Sequence, residues 1–400
     1  MSKTEWKEYR LGEIYEVHNG LSKGREFFGS GYPFISFSTV FNKWFIPEII
    51  TDFAQTTESE QESYSIKAGD ILVTRTSETA DELGMSCVAL RDIPNATYNG
   101  FCKRMRQYNK DVDVDSKYVG YYMRNPEFRK KFQAFAGSMS TRASLTNDAL
   151  LGLTIKLPPL AEQQRIAKIL SSLDDKIELN NAINRNLEEQ AQILFKNYEE
   201  NKPSNLMKIA DVAEINPDSF GLKDNWSFVN YLDTSSITQN VISELQYINL
   251  NEEKLPSRAK RKVVENDIVY STVRPNQLHF GFINEVKPNM LVSTGFAVIR
   301  SKNPLVSNEY IYLNLTKRDT IEKLQQIAEQ SVSTFPAIKP SDIGDCLINV
   351  FEKKDAEILN NQLSAVFKKI SQNNQENQRL TLIRDTLLPK LMSGEMGAMV

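Results

Sequence analysis

The sequence predicts an α+β fold in which two repeated α/β globules alternate with two long helices. The helices are predicted to pair as an antiparallel intramolecular coiled coil, which gives the chain pseudo-two-fold symmetry. Two observations predict this fold. Short motifs of the first half recur in the second half, and each half ends in a long run whose apolar residues repeat every 3.5 positions. A 3.5-residue period forms a coiled-coil seam, and two such helices in one chain can pair with each other.

The repeated motifs follow the same order in both halves. They predict a short helix entering a β-region, then a strand, and then a turn before a β-branched strand that ends in hydroxyl and Arg side chains. The pairs are Leu11-Gly12-Glu13-Ile14 with Ile209-Ala210-Asp211-Val212, Phe34-Ile35-Ser36-Phe37 with Phe228-Val229-Asn230-Tyr231, and residues 69–76 with residues 266–274. A helical stretch follows at 118–135 and at 309–328, and then a polar turn at 137–142 and at 330–335.

The two heptad runs carry a pair of asparagines at equivalent positions. The first run is Ile166, Leu170, Leu173, Ile177, Asn180, Asn184, Leu187, Ala191 and Leu194, and the second, 193 residues later, is Leu359, Leu363, Val366, Ile370, Asn373, Asn377, Leu380, Arg384 and Leu387. Asparagine buried in such a seam weakens a coiled coil but fixes its register. The four asparagines are therefore the predicted register residues.

Antiparallel pairing that aligns the asparagines defines a register. It places Asn180 opposite Asn377 and Asn184 opposite Asn373. Its weak layer sets an apolar residue against Arg384, either because the tight packing ends there or because the arginine reaches solvent. The alternative is that each helix packs only on its own globule.

The domain boundaries follow from composition. Residues 157–160 read Leu-Pro-Pro-Leu, and two prolines end a strand and can open a helix but are not tolerated inside one. The second helix lacks this pair. The predicted globules are residues 1–156 and 203–350, and the predicted helical spacers are residues 157–202 and 351–400. The first helix would extend for roughly 60 Å at 1.5 Å per residue.

Composition restricts the class of protein. A chain of 400 residues with 40% hydrophobic content is long enough for several domains. The three cysteines and two histidines form no CxxC or HxxxH spacing, which argues against disulfide scaffolds and the usual zinc sites. No charged-then-apolar leader and no 18-residue apolar stretch occurs, so we expect a cytoplasmic protein without membrane spans.

Catalytic motifs are missing from the sequence. There is no GxxxxGK[ST] phosphate loop, no GxGxxG after a strand and no GxSxG elbow. Asp218 with Glu252-Glu253-Lys254 is similar to a metal-dependent nuclease site, but the pattern is so short that coincidence is the better interpretation. No catalytic residue and no metal ligand is predicted.

Basic and polar clusters recur in both halves and are candidates for nucleic-acid contact. A net charge of −3 argues against unspecific coating of nucleic acid but permits local basic patches. Residues 103–106 and 258–262 could neutralise phosphates at corresponding places, while arginine reads guanine edges and asparagine reads adenine edges. The candidate DNA-binding residues are Thr74, Arg75, Thr76, Lys103, Arg104, Arg142, Arg258, Lys260, Arg261, Lys262, Arg274, Asn276 and His279. Two similar readers held apart by a rod would suit a split DNA site.

Several of these segments together resemble the specificity subunit of type I restriction-modification systems. The resemblance covers essentially the whole chain. It rests on residues 157–167 (LPPLAEQQRIA), Gly69-Asp70-Ile71-Leu72 with Arg75, residues 270–275 (YSTVRP) and residues 387–395 (LLPKLMSGE). The most specific part is the Pro-Pro-Leu-x-Glu-Gln stretch. The second spacer departs from it, because residues 349–354 read NVFEKK there.

The resemblance implies a function. In that family two target-recognition domains alternate with two helical spacers in an antiparallel coiled coil, and the subunit is not catalytic. It reads a bipartite double-stranded DNA sequence and recruits two adenine methyltransferase subunits and two ATP-dependent restriction subunits. S-adenosylmethionine, ATP and Mg²⁺ would then bind to those partners and not to this chain. Each methyltransferase would flip an adenine in its half-site.

Two other functions remain open at this point. The chain could be a protein-interaction scaffold in which the coiled coil is the active part, and such a scaffold would show no salt-sensitive DNA affinity. It could also be a self-contained nuclease, whose metal-dependent cleavage would be lost on Asp218→Ala.

Overall fold

The computed structural model of the protein describes residues 6–77, 83–136, 143–221, 223–330 and 336–396. The fold is α+β, with two α/β globules and two long helices that pack antiparallel, as the sequence predicts. The helices are α1 (Leu11–Ile14), α2 (Phe37–Asn42), α3 (Glu58–Ser63), α4 (Ser116–Arg124), α5 (Pro126–Ala136), α6 (Asn147–Leu151), α7 (Leu160–Asn201), α8 (Ile209–Val212), α9 (Asn308–Thr316), α10 (Arg318–Glu329), α11 (Pro340–Gly344) and α12 (Lys353–Ser393). Within the described ranges, no helix combines the length and the apolarity that crossing a membrane requires.

The first globule is built on two sheets. Its strands are β1 (Lys7–Arg10), β2 (Tyr15–Asn19), β3 (Phe28–Ile35), β4 (Phe53–Ala54), β5 (Ile71–Thr74), β6 (Thr76–Ser77), β7 (Ser86–Val88), β8 (Thr97–Tyr98), β9 (Cys102–Gln107), β10 (Ala143–Ser144) and β11 (Thr154–Leu157). An antiparallel sheet has the order β2-β9-β5-β7, and a second sheet has the order β4-β3-β8 with β3 and β8 parallel. Strands β1 and β11 pair, so both ends of the globule meet where α7 begins.

The second globule repeats this plan. Its strands are β12 (Ser204–Lys208), β13 (Ala213–Ile215), β14 (Phe228–Leu232), β15 (Ile237–Thr238), β16 (Val241–Ile242), β17 (Gln246–Asn249), β18 (Ala259–Lys262), β19 (Ile268–Ser271), β20 (Phe280–Phe282), β21 (Met290–Ser293), β22 (Phe296–Ser301) and β23 (Leu347–Phe351). The antiparallel sheet has the order β13-β22-β19-β20, and the second sheet has the order β17-β14-β21-β18 with β14 and β21 parallel. Strands β12 and β23 close this globule as β1 and β11 close the first.

A buried ion pair recurs at the same place in both sheets. The carboxylate of Asp70 accepts hydrogen bonds from Nε and Nη2 of Arg106, at 2.7 and 2.6 Å. Asp267 accepts the same two bonds from Arg300, both at 2.7 Å. Each aspartate stands just before the central strand, and each arginine lies on the strand beside it. The internal repeat predicted from sequence therefore extends to individual side-chain contacts.

The predicted helical stretches are each two helices and not one. In the first globule the break falls at Asn125, which has ψ 132° because the residue before Pro126 is kept out of the helical region. In the second, Lys317 breaks the stretch with ψ 140°, and its ammonium contacts Glu199 on α7 at 2.6 Å. Sequence periodicity did not predict these breaks, at which one residue with extended ψ separates two short helices.

Contacts divide the chain into two compact units. One unit comprises Met1–Ile177 with Gln378–Val400, and the other comprises Glu178–Asn377. Each long helix therefore contributes a part to each unit. In both units the helices bury apolar side chains in the core of the globule, which stabilises by about 1.5–3 kcal/mol for each fully buried large side chain.

In the unit 178–377 the helices are held together by asparagines. The amide of Asn180 donates to Oδ1 of Asn377 at 2.9 Å, and the amide of Asn373 donates to Oδ1 of Asn184 at 2.8 Å. These contacts match the register predicted from the heptads. Both helices also face the globule core here, with Phe195 on α7 among the buried residues.

In the other unit the predicted weak layer is stabilised by an ion pair. Arg384 neither ends the packing nor extends to solvent, because its Nη1 contacts Asp174 at 2.7 Å and its guanidinium lies 4.8 Å from the ring centre of Trp44. The Tyr121 hydroxyl donates to the other oxygen of Asp174 at 2.5 Å. This network joins α4, α7 and α12, and it corrects the expectation of a loose end.

Candidate nucleic-acid interface

The first candidate surface surrounds Arg75, immediately after β5. Its backbone N–H donates to the carbonyl of Phe101 at 2.9 Å, and its carbonyl accepts from Leu145 at 2.8 Å. The side chain is half-buried, and its Nε has no hydrogen-bond partner among the residues that the structure describes. Thr74 is buried and accepts from the Met85 N–H at 2.9 Å. Thr76 lies in β6 opposite Ser144. Arg75 is therefore the strand-end residue best placed for contact with a ligand.

Lys103 supplies positive charge beside Arg75. Its side chain is only 5% exposed, and its ammonium donates to the amide oxygens of Asn19 and Asn147. Burial lowers the pKa of Lys103, and the nearby charge of Arg75 lowers it further. In the described part of the chain neither cation forms an ion pair with a carboxylate. Lys103 is therefore a buried charge that makes the electrostatic potential of this surface more positive.

Two other basic residues predicted in this globule are placed differently. Arg104 is 3% exposed, donates to the carbonyl of Ser65 at 2.6 Å and lies over the ring of Tyr98. The Arg104 guanidinium is buried and already bonded within the protein, so Arg104 is not part of the proposed contact surface. Its contact with DNA stays a prediction. Arg142 lies outside the described residues.

In the second globule Thr272, and not Arg274, is the equivalent of Arg75. Thr272 donates to the carbonyl of Gly295 at 2.8 Å and accepts from Ile338 at 2.8 Å, which are the two backbone bonds that Arg75 makes. Arg274 lies two residues further along. The sequence repeat correctly pairs the two strand ends, but the two arginines do not occupy equivalent positions after them.

Arg274 begins a strained turn that exposes Asn276. Arg274 has φ 47° and Leu278 has φ 58°, and a single 3-10 turn, Pro275–Gln277, lies between them. Residues other than glycine rarely adopt a positive φ, and such backbone strain concentrates at ligand-binding sites. His279 follows, with Nδ1 2.8 Å from the carbonyl of Ile237. The turn therefore presents Asn276 to solvent while His279 is held by the neighbouring hairpin.

The basic run on β18 forms the rest of this surface. Arg258 and Lys260 are exposed, and Arg261 is half-buried. Lys262 forms a 2.6 Å ion pair with Asp224, and this contact raises the pKa of Lys262. The Thr294 N–H donates to the carbonyl of Arg258, so this run lies beside the turn that also contacts Thr272.

The two basic runs do not occupy corresponding places, contrary to the sequence interpretation. Residues 103–106 lie on β9, whose equivalent by sheet order is β22. Residues 259–262 lie on β18, a fourth strand beside β21, whereas the matching sheet of the first globule has three strands. The two runs are similar in charge, but the amino-acid sequence alone does not show which strand each run joins.

Sequence reasoning missed Phe101, Asn19 and Asn147. Phe101 is 57% exposed and adjoins Arg75, while the two asparagines hold Lys103. An aromatic residue directly after Asn-Gly was the available signal, since Asn-Gly favours a tight turn that leaves the next side chain at a strand end.

The acidic residues considered for a nuclease do not form a metal centre in the described residues. No group of three or more His, Cys, Asp or Glu side chains there is arranged to hold a metal ion. Asp218 instead accepts from the backbone N–H of Ser219 at 2.7 Å.

Comparisons with known proteins agree with this architecture. The family profile described as the type I restriction modification DNA specificity domain matches residues 3–189. The HindI specificity subunit of a Haemophilus influenzae type I restriction enzyme is 24% identical and aligns with 98% of this chain and 100% of that protein. The MjaIX specificity subunit of Methanocaldococcus jannaschii is also 24% identical, over 98% of this chain and 94% of that protein.

A solved structure has the same fold. The crystal structure of the S subunit of a type I restriction-modification system from M. genitalium superposes with a TM-score of 0.53 at 14% identity, over 98% of this chain and 97% of that one. Specificity subunits of this family are not themselves catalytic and carry no cofactor of their own. With the repeated globules and the antiparallel helices, these similarities show that the chain has the fold of type I restriction-modification specificity subunits and that residues 3–189 match the DNA specificity domain of that family.

Proposed function

We propose that this chain is the DNA-recognition subunit of a type I restriction-modification complex and that each globule reads one half of a bipartite target. The observation that carries the proposal is the repeat of one sheet, anchored by Asp70–Arg106 and Asp267–Arg300, with basic and polar residues after its central strand in both copies. A repeated reader suits a target with two half-sites.

The charges support DNA as the ligand. The chain has a net charge of −3, yet Arg75 and Lys103 in one globule and Arg258 and Lys260 in the other make no ion pair with a carboxylate in the described part of the chain. Unpaired cations on an acidic protein create a local positive potential that attracts phosphates. We assign base reading to Arg75, Arg274 and Asn276, and phosphate contact to Arg258 and Lys260.

The helices are the proposed docking elements for the other subunits. Large apolar side chains are exposed on them, with Leu179 at 54% and Ile183 beside it on α7, and Leu382 at 68% and Ile383 on α12. Side chains four residues apart lie on one helix face, so the first pair forms a small apolar patch. Exposed apolar patches mark interaction surfaces.

We infer that two methyltransferase and two ATP-dependent restriction subunits dock on the complex, with S-adenosylmethionine, ATP and Mg²⁺ bound to them. The recognition domains are residues 1–156 and 203–350, and the spacers are residues 157–202 and 351–400. Because its target is DNA, the complex would act in the cytoplasm.

The test is to co-express the chain with its candidate methyltransferase partner in a host without adenine methylation and to map N6-methyladenine across the DNA. The expected result is a split motif, modified on opposite strands at a fixed separation and absent when this chain is omitted. A stable complex that leaves the DNA unmethylated and binds it without salt dependence would favour the scaffold function instead. Leu179→Asp with Ile183→Asp should weaken assembly, whereas Gln190→Asp, at an exposed polar site on α7, should not.

A further inference from the structure

Phe101 is exposed, and hydrogen bonds hold its backbone on both sides. Its N–H donates to Oδ1 of Asn99 at 2.8 Å, and its carbonyl accepts from Arg75 at 2.9 Å. The turn also lies against backbone, because a Cβ on Gly20 would be 2.1 Å from the carbonyl oxygen of Asn99 and a Cβ on Gly100 would be 2.9 Å from that of Leu21. Hydrogen bonds from both peptide groups and close packing of the neighbouring glycines hold the Phe101 backbone in place, so the Cβ leaves the turn in one direction.

The surroundings of Phe101 select the kind of partner. The ring is 57% exposed, and the adjoining cations are Arg75 and Lys103, neither of which has a carboxylate partner in the described ranges. An exposed aromatic residue whose neighbours Arg75 and Lys103 carry charges without a carboxylate partner in the described ranges complements a surface that is flat, apolar and anionic. Stacked bases between phosphates have these properties, whereas an apolar protein surface would leave the two cations without a partner.

The second globule contains the same turn without the aromatic residue. Gly295 donates to Oγ of Ser293 at 3.2 Å, and its carbonyl accepts from Thr272 at 2.8 Å, as Phe101 does with Asn99 and Arg75. A Cβ on Gly295 would be 2.6 Å from Oγ1 of Thr234, so a side chain there would require the Thr234 hydroxyl to move. The chain thus provides its own comparison, one turn with phenylalanine and one with glycine.

We propose that Phe101 inserts between neighbouring bases of the half-site read by the first globule and partly unstacks them. This inference rests on the proposed function and deepens it. Insertion of an apolar side chain kinks the duplex and favours base steps that unstack easily, so Phe101 would determine specificity without a hydrogen bond to a base. The second half-site would not be unstacked in this way.

The test uses the complex of this chain with its methyltransferase subunits on duplexes that carry 2-aminopurine at successive positions of both half-sites. Phe101→Gly reproduces the turn of the second globule, and Phe101→Leu keeps an apolar wedge. We expect 2-aminopurine fluorescence to increase at one base step when the wild-type complex binds, and this step should lie in the half-site that Arg75 substitution affects. The increase should remain with Phe101→Leu and be lost with Phe101→Gly. Affinity should fall about tenfold with Phe101→Gly, the scale of one stacked base.

The two proposals fail in different ways. A flipped target adenine also raises 2-aminopurine fluorescence, but that signal should appear in both half-sites and persist in Phe101→Gly. An unchanged fluorescence profile in Phe101→Gly would overturn the wedge while sequence-specific methylation remained. Loss of subunit assembly in Phe101→Gly, with unchanged fluorescence of the residual complex, would assign Phe101 to a protein contact and overturn it too. Absence of sequence-dependent methylation with wild type would remove both proposals.

Discussion

Asn180 and Asn377 form a side-chain hydrogen bond of 2.9 Å between the two long helices, and Asn373 and Asn184 form the equivalent bond at 2.8 Å. Asn180 and Asn373 are the buried members, and each pairs with a half-buried asparagine of the other helix. The two bonds are related by the 193-residue repeat. Any shift of one helix along the other would leave two buried amides unpaired, so these bonds favour a single register.

The first prediction concerns this register. Asn180→Ala and Asn373→Ala should each lower the free energy of unfolding by about 1–2 kcal/mol, because each leaves an amide without its partner. Asn186→Ala, on the exposed face of α7, should change it by less than about 0.5 kcal/mol. The measurement is urea unfolding followed by circular dichroism. Equal values for all three variants would show that the buried asparagines do not stabilise the pairing.

The register was predictable because it depends on a linear pattern. A period of 3.5 residues identifies the seam, and two asparagines within it leave one antiparallel alignment that pairs both. The candidate site was less predictable. Lys103 and Arg104 are adjacent basic residues in sequence, yet Lys103 is held by two amides beside Arg75, whereas Arg104 points to the carbonyl of Ser65. Which face of a strand is buried, and which strand lies beside it, is decided by tertiary packing.

The second prediction concerns the repeated ion pairs. Arg106→Met and Arg300→Met should each destabilise the chain by about 3–5 kcal/mol, because each leaves a buried aspartate charge without its partner. Asp70 and Asp267 are at most 1% exposed, so water cannot replace the lost bonds. Lys130→Met, which breaks an exposed ion pair with Glu127, should cost less than about 1 kcal/mol. Thermal unfolding that does not distinguish Arg106→Met from Lys130→Met would contradict this.

The third prediction concerns pH. Glu188 on α7 accepts hydrogen bonds from Asn240 and Tyr312, yet burial raises its pKa above the usual value of 4.5. An acid whose pKa is raised by folding destabilises the folded state where it is ionised, and this cost disappears as the pH falls to the unfolded value. Glu188→Gln should therefore stabilise the chain at pH 7 and have no such effect below about pH 4.5. Stability curves of Glu188→Gln and of Glu189→Gln, an exposed neighbour, measure the difference, and a gain that grows at low pH would have the wrong sign.

The fourth prediction concerns base reading. Lysine keeps the charge of arginine but lacks the planar fork that bonds a guanine edge twice. Arg75→Lys should therefore reduce discrimination at one half-site by about 1–3 kcal/mol, and Arg274→Lys should do so at the other. Methylation mapping with each variant gives the result directly. If both variants retain the wild-type motif, neither arginine reads a base.

The fifth prediction separates phosphate contacts from internal ion pairs on one strand. Lys260 is exposed, whereas Lys262, two residues along β18, is paired with Asp224 at 2.6 Å. A lysine that neutralises a phosphate releases a counterion, so its loss makes the negative slope of log K against log salt shallower by about 1 and weakens binding to all sequences alike. Lys260→Ala and Arg258→Ala should each show this change.

Lys262→Ala should leave the slope nearly unchanged, because the charge of Lys262 is already neutralised by Asp224. The freed Asp224 carboxylate would repel phosphates and weaken binding slightly at low salt. Salt titrations of the assembled complex on specific and unrelated duplexes distinguish the two cases. Identical slopes for Lys260→Ala and the wild type would show that β18 does not contact the DNA backbone.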